Sequence, residues 1–200
     1  MQKSVIMNSN EINKSVIDNV LLMLLRRKQL NKKTFDIYKN KKKNDTIFDV
    51  KNEDNKKFSI YILNSIINSI ISKSNLDEFL SENLDIRKIV IIKEPSKRAV
   101  KQLLKSYTNA EFFFMHEMLD DIPSKSFIPK HILLSEEDKE KLLTKIKLNV
   151  FSKIRKYDPM ARYFNAKEND IFKIIRPNIT TLEESFYRVV IDDKIDNMFL

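Results

Sequence analysis

The sequence predicts a mixed α/β (α+β) fold divided into two modules. Between residues 10 and 119, strand-like apolar runs alternate with helical stripes, the pattern of an α/β unit. Three of the five prolines, Pro123, Pro129 and Pro159, then mark a boundary. After Pro129 a second, shorter series of strand and helix signals begins, and no internal repeat links the two.

Each element has its own warrant. Ile12, Val16, Val20, Met23 and Leu24 recur at helical spacing and predict a helix over 10–30. Residues 31–57 are polar and lysine-rich, densest at 41-KKKND-45, and predict an irregular connection around a short strand near Thr46–Val50. The run 58-FSIYIL-63 reads as a strand, and the stripe of Ile66, Ile67, Ile70 and Ile71 predicts a helix over 64–83. The β-branched run 86-IRKIVII-92 reads as a buried strand. At 93-KEPSK-97 a turn is expected, because Pro fixes φ and Ser bonds nearby backbone, with a helix following over 96–106. The segment 111-EFFFMHEML-119 fits either a strand or a helix. Its three consecutive phenylalanines cannot share one strand face, so core packing is favoured over base stacking.

In the second module, 132-ILL-134 predicts a short strand. Ser135 suits a helix N-cap with Asp138 three residues on, and Leu142, Leu143 and Ile146 suit the buried stripe of that helix. Asp158 and Pro159 form an N-cap and first-turn pair for a short helix ending near Asn165. The runs 171-IFKII-175 and 186-FYRVVI-191 read as strands joined by a polar loop.

Composition excludes several kinds of chemistry. The chain has no Cys and two His, which removes disulfides, Cys-zinc sites, thiol nucleophiles and multi-His metal sites. It has no Gly, so the glycine-rich phosphate loops of nucleotide-binding folds are absent. No apolar run reaches the ~20 residues of a membrane helix, and no signal-peptide pattern opens the sequence, so a soluble intracellular protein is expected. The net charge is +9, and nearly all the excess lies in residues 1–130, where 24 Lys and Arg face 16 Asp and Glu. A polyanion-facing surface is therefore sought there.

The run 129-PKHILLSEEDKEKLL-143, then 158-DPMARYF-164, 173-KIIRP-177 and 187-YRVV-190, resembles in order and register the assembly domain of one RNA polymerase component. This is the fifth-largest subunit shared by the eukaryotic nuclear enzymes, whose C-terminal domain has an archaeal counterpart. The upstream elements resemble the N-terminal jaw domain of the eukaryotic form, itself similar to the restriction-endonuclease fold. A large DNA virus is one source for such a copy. The resemblance implies a jaw domain over 1–125, an assembly domain over 126–191 and a tail over 192–200. It implies a non-catalytic subunit that helps form the jaw at downstream duplex DNA and assembles on the largest subunit. No cofactor, membrane or small-molecule substrate is expected, since nucleotide addition and its magnesium belong to other chains. The location implied is the nucleus for a cellular protein, or the virion, viral factory or host nucleus for a viral one.

The site residues follow from the same resemblance. The family's Thr-Pro-Ser-Ala loop, which approaches DNA, corresponds to 94-EPSK-97, with Pro95 and Ser96 matching. Pro95, Ser96, Lys97, Arg98 and Lys101 are the DNA-binding candidates. Between Arg87 and Lys105 there are seven Lys or Arg and one acid, a balance suited to sequence-independent phosphate contact. The basic run Arg26–Lys43 fits a solvated loop better. Arg162, Tyr163, Arg176, Pro177 and Tyr187 are the subunit-interface candidates, Tyr and Arg being common interface anchors, while Asp158 suits a helix cap. Where relatives have glycine, this chain has Tyr157, Asn165 and Asn169. Asn tolerates the left-handed region; Tyr does not. His131 and His116 read as structural.

Two other classes compete. A metal-dependent nuclease would use a distant Asp with an acid-x-Lys pair. That pair occurs at Asp49/Lys51, Asp54/Lys56, Glu137/Lys139 and Asp192/Lys194, a frequency that chance explains in so charged a chain, and only Asp36 with Asp49 and Lys51 lies near a strand. A free-standing DNA-binding transcription factor accounts for the basic face but not for the C-terminal resemblance.

Overall fold

In the computed structural model, which describes residues 8–41, 46–107, 109–178 and 182–192, the first apolar stripe forms helix α1 (Ser9–Arg26). A capping box starts it: the Asn8 side chain accepts from the Glu11 amide, and the Glu11 carboxylate accepts from the Asn8 amide, both at 2.9 Å. Its inward face (Val16, Ile17, Val20, Leu21, Met23 and Leu24) is fully buried. Each such side chain stabilises the fold by roughly 1.5–3 kcal/mol relative to exposure. The helix ends where Lys28 turns to φ 57°.

The lysine-rich connection is more ordered than its composition predicts. A second helix, α2 (Lys32–Lys39), is capped by Asn31, whose side chain accepts from the Thr34 amide at 2.8 Å. Phe35 buries its ring beneath the lysines and fixes the helix to the core. Residues 42–45 of the charged run lie outside the described residues.

The chain divides into two units, Met1–Asp120 and Asp121–Leu200. The first holds a sheet of strands β1 (Ile47–Lys51), β2 (Lys57–Ile67), β3 (Arg87–Pro95) and β4 (Ala110–Phe114), in that order. β1 and β2 are antiparallel, while β2, β3 and β4 run parallel. Parallel neighbours need crossovers, supplied by helices α3 (Asn75–Ser81) and α4 (Lys97–Ser106). β3 lies inside the sheet with Lys88–Ile92 all buried, as its β-branched run predicts.

The helix predicted over 64–83 is not formed. β2 continues to Ile67 past an irregularity between Leu63 and Ile66, pairing Ile66 with Glu94 and Ile67 with Pro95. Ladder bonds to β3 win over the local helical pattern, and α3 begins only at Asn75, capped by Ser74. Likewise β3 extends through the expected turn as far as Pro95. The ambiguous segment 111–119 uses both options: β4 ends at Phe114, and helix α5 (Met115–Leu119) follows at once. Phe112 and Phe113 point to opposite faces, and both are buried. α1 holds this end in place, with Ser15 and Asn19 each donating to a carbonyl, of Leu119 and Met118, at 2.9 Å.

The second unit contains β5 (Lys130–Leu133), α6 (Glu136–Leu143), β6 (Ser152–Arg155), α7 (Pro159–Tyr163), β7 (Ile171–Asn178) and β8 (Leu182–Ile191). Its sheet order is β5-β7-β8-β6, antiparallel except for the parallel pair β6 and β8. β6 is not signalled by the sequence, because only Ile154 in its four residues is buried. Ser135 caps α6 as expected, accepting from the Asp138 amide at 3.2 Å. Leu142 and Leu143 half-bury against Phe151, Ile171 and Val189, but Ile146 is not part of a buried stripe. It lies beyond the end of the helix and is 37% exposed.

Asp158 accepts from the Met160 amide at 2.9 Å and Pro159 occupies the first turn of α7, so this pair starts the helix as expected. Asn165 and Asn169 adopt φ 50° and 68°, the left-handed region that Asn tolerates best after Gly. Tyr157 is not among the residues with positive φ. Its turn closes by bonds from the Lys156 amide to the Ile191 carbonyl at 2.9 Å and from the Asp158 amide to the Arg155 carbonyl at 3.0 Å. No glycine is needed there. The tail beyond Asp192 lies outside the described residues.

Candidate functional site

The five residues proposed for DNA contact occupy one junction, where β3 passes into α4. Ser96 makes that junction rigid. Its hydroxyl accepts from the Ala99 amide at 3.1 Å as the helix cap and donates to the Asn68 carbonyl at 2.5 Å. Its own amide donates to the Ile67 carbonyl at 2.8 Å. One turn on, the Gln102 side-chain oxygen accepts from the Ile70 amide at 2.9 Å. The start of α4 is thus fastened to the backbone of 67–70, just after β2. Ala99, Val100 and Leu103 bury the inner face of the helix, which leaves Lys97 and Arg98 exposed and Lys101 half-buried. Pro95 is half-buried beside Ile67. Amides of a helix first turn together with clustered cations form an arrangement that attracts phosphate oxygens without reading bases. Glu94, exposed one residue before Pro95, puts a negative charge at the edge of this surface.

The five interface candidates are distributed over the second unit. Arg162 and Tyr163 are neighbours on α7. Arg162 donates through Nε to the Tyr157 carbonyl at 3.2 Å, and Tyr163 is buried with its ring edge-on to Phe164. Arg176 and Pro177 are exposed near the end of β7. The Arg176 guanidinium lies over the Phe186 ring, 5.4 Å from its centroid, with Glu184 as its cross-strand partner. Tyr187 follows Phe186, points to the other face and rests against Phe151. Arg176 and Phe186 therefore share one face of the sheet, where both are exposed, while Pro177, exposed as the next residue of β7, points to the other face, and Tyr163 and Tyr187 support the unit from within.

The nuclease candidates lie on two elements, Asp36 on α2 and Asp49 with Lys51 on β1. Asp49 accepts a 2.5 Å hydrogen bond from the Ser59 hydroxyl, and Asp36 is exposed on α2. Asp49, Ser59 and Lys88 occupy matched positions on β1, β2 and β3. The Lys88 ammonium, however, donates to the carbonyls of Phe79 and Glu82 around the end of α3. Burial, the largest influence, holds its pKa below the ordinary lysine value. Among the described residues, no group of three or more His, Cys, Asp or Glu is placed to hold a metal ion. His131 shares a hydrogen bond with the Pro129 carbonyl at 2.7 Å and sits edge-on to Phe172, and His116 stacks on Phe114. Both are accounted for by packing.

One surface was missed in the sequence. Ile66 and Ile71, read as part of a helical stripe, are 65% and 68% exposed and lie on the segment to which the α4 junction is fastened. The signal that could have found them is Asn68, Ser69 and Ser72 interrupting the stripe with turn-forming residues.

Comparison with known proteins bears on both units. Residues 120–190 match the family described as RNA polymerase Rpb5, C-terminal domain. DNA-directed RNA polymerase subunit 5 of Acanthamoeba polyphaga mimivirus is 31% identical over 195 residues, covering 92% of this chain and 94% of that one. The subunit rpabc1 of DNA-directed RNA polymerases I, II, and III of Dictyostelium discoideum is 31% identical over 112 residues, 52% of this chain and 57% of its own. The polymerase subunit Rpo5 of Thermococcus onnurineus is 37% identical over 75 residues, 36% of this chain and 92% of its own.

Proposed function

The chain belongs to the family of subunit 5 of DNA-directed RNA polymerases, and within that family we propose that it is a non-catalytic subunit that joins assembly to DNA handling. The unit Met1–Asp120 forms part of the jaw around downstream duplex DNA. The unit Asp121–Leu200 anchors the chain, mainly on the largest subunit. Nucleotide addition and its metal belong to other chains. Its location is that of the polymerase it serves, the nucleus for a cellular enzyme, or the virion and the site of viral transcription for a viral one.

The observation that carries this reading is the colinear likeness to the mimivirus subunit across 92% of the chain, which takes in sequence from both units. The α4 junction supports the DNA role through its exposed Lys97 and Arg98. The exposed pair of Arg176 and Phe186 supports the docking role, since Arg and aromatic side chains are common interface anchors.

Cross-linking of the assembled polymerase through lysines tests the anchoring assignment. Lys153 and Lys173, on the strands of the second unit, are expected to link to the largest subunit. Links confined to other subunits would overturn it.

A further inference from the structure

Between Arg87 and Lys105 the sequence holds seven Lys or Arg and one acid, Glu94. This residue is exposed and stands two positions ahead of Ser96, the N-cap of α4. Side chains alternate along a strand, so Glu94 shares its face of β3 with Lys88, while Lys93 projects from the other. The Lys88 face carries both crossover helices: Lys88 bonds the end of α3, and Tyr107 at the end of α4 bonds Asp77 on α3. The cross-strand neighbour of Glu94 is Ile66, which offers no charge to offset it. Among the described residues, no hydrogen bond or ion pair engages the Glu94 carboxylate.

A carboxylate in this place acts against phosphate in two ways. The first turn of a helix favours negative charge, so Glu94 lies in the field that would otherwise favour a phosphate alone. Like charges also repel, so a phosphate approaching Lys97 and Arg98 does so against Glu94. With no partner for its carboxylate, Glu94 has no pairing role in the fold to account for its charge. We propose that Glu94 limits the affinity of the α4 junction for duplex DNA. Its charge stands partly in the place of a phosphate and keeps the contact weak enough to exchange as the DNA moves. This role rests on the DNA contact proposed above for the same junction and names the residue that tunes it.

Fluorescence anisotropy of the full chain with a fluorescein-labelled DNA duplex tests it. Glu94→Gln keeps the size of the side chain and removes its charge. It should tighten binding about threefold at low salt, and the gain should shrink as added salt screens the charge. Glu94→Lys should tighten binding further, and Glu94→Asp, which keeps the charge, should bind as the native chain does. The side chain is exposed, so all three variants should retain the native melting temperature. Unchanged or weaker binding by Glu94→Gln would overturn the role. So would a gain that added salt does not diminish, or one that Glu94→Asp reproduces, since either marks an effect of shape and not of charge. Lys97→Glu with Arg98→Glu, measured alongside, separates this role from the reading it rests on. If that variant weakens binding while Glu94→Gln changes nothing, the DNA contact stands and the tuning role falls. If it too leaves binding unchanged, duplex DNA does not engage this junction and both fall.

Discussion

Tyr107 and Asp77 share a 2.5 Å hydrogen bond that ties the end of α4 to the first turn of α3. Burial, and then this bond, push the Tyr107 pKa up to about 12 from 10.0, while the same bond is the largest influence holding Asp77 below 3.8. The signs follow from which state keeps its proton. Folding favours protonated Tyr107, so its contribution is whole below pH 10 and is lost as pH rises towards 12. Folding favours ionised Asp77, so its contribution is whole above 3.8 and is lost as pH falls through the lowered value. Tyr107→Phe should abolish the first loss and move the Asp77 pKa up towards 3.8, read by urea unfolding across pH and by NMR titration. An unmoved Asp77 would contradict the assigned cause. Asn165 and Asn169 make a second case. Ala at either site should cost about 1 kcal/mol, the penalty of a left-handed residue with a Cβ, and Gly should restore or exceed the native stability. These two positions were legible in the sequence, since Asn is the usual substitute for Gly. Tyr157 was not, because nothing local indicates that its turn closes through the Ile191 carbonyl on a distant strand.

At the scale of elements, what could be read depended on whether local pattern and tertiary partner agree. α1, β3 and α4 were legible, because each has a continuous apolar face and, in α4, a serine cap. The segment 64–71 was not. Its four isoleucines sit at spacings a helix would accept, and only pairing with β3 makes the first two part of a strand. α2 was hidden because a single buried ring, Phe35, anchors an otherwise cationic stretch. Within the candidate site, the basic helix was visible but its attachment to 67–70 was not, since those bonds run to backbone groups. Ser96→Ala should therefore cost more than an ordinary cap. About 1 kcal/mol is expected from removing the bond to Ala99, together with faster hydrogen exchange at the Ile70 amide as the junction loosens. Exchange unchanged at Ile70 would show that Ser96 acts on the helix alone. For DNA, Lys97→Glu with Arg98→Glu should lower duplex retention and reduce the log–log salt slope by roughly 0.9 for each phosphate no longer neutralised. An unchanged slope would remove these side chains from the DNA surface.

For the whole molecule, charge and core divide differently along the chain. Residues 1–130 carry nearly all the positive excess, and residues 131–200 are close to balanced, with 13 Lys and Arg against 12 Asp and Glu. The second unit keeps one apolar cluster on each face of its sheet, Phe172 and Val190 on one side and Ile171 and Val189 on the other, whereas the positive excess of the first is suited to a polyanion. The central claim is membership in an assembled polymerase, and it is tested most directly by affinity purification of the tagged full chain from the cells or virions in which it is made. The chain is expected to elute with the large polymerase subunits, at one copy per enzyme, in fractions that transcribe DNA. Recovery as a free 23.8 kDa protein, with the large subunits present in the same lysate but absent from the eluate, would contradict it.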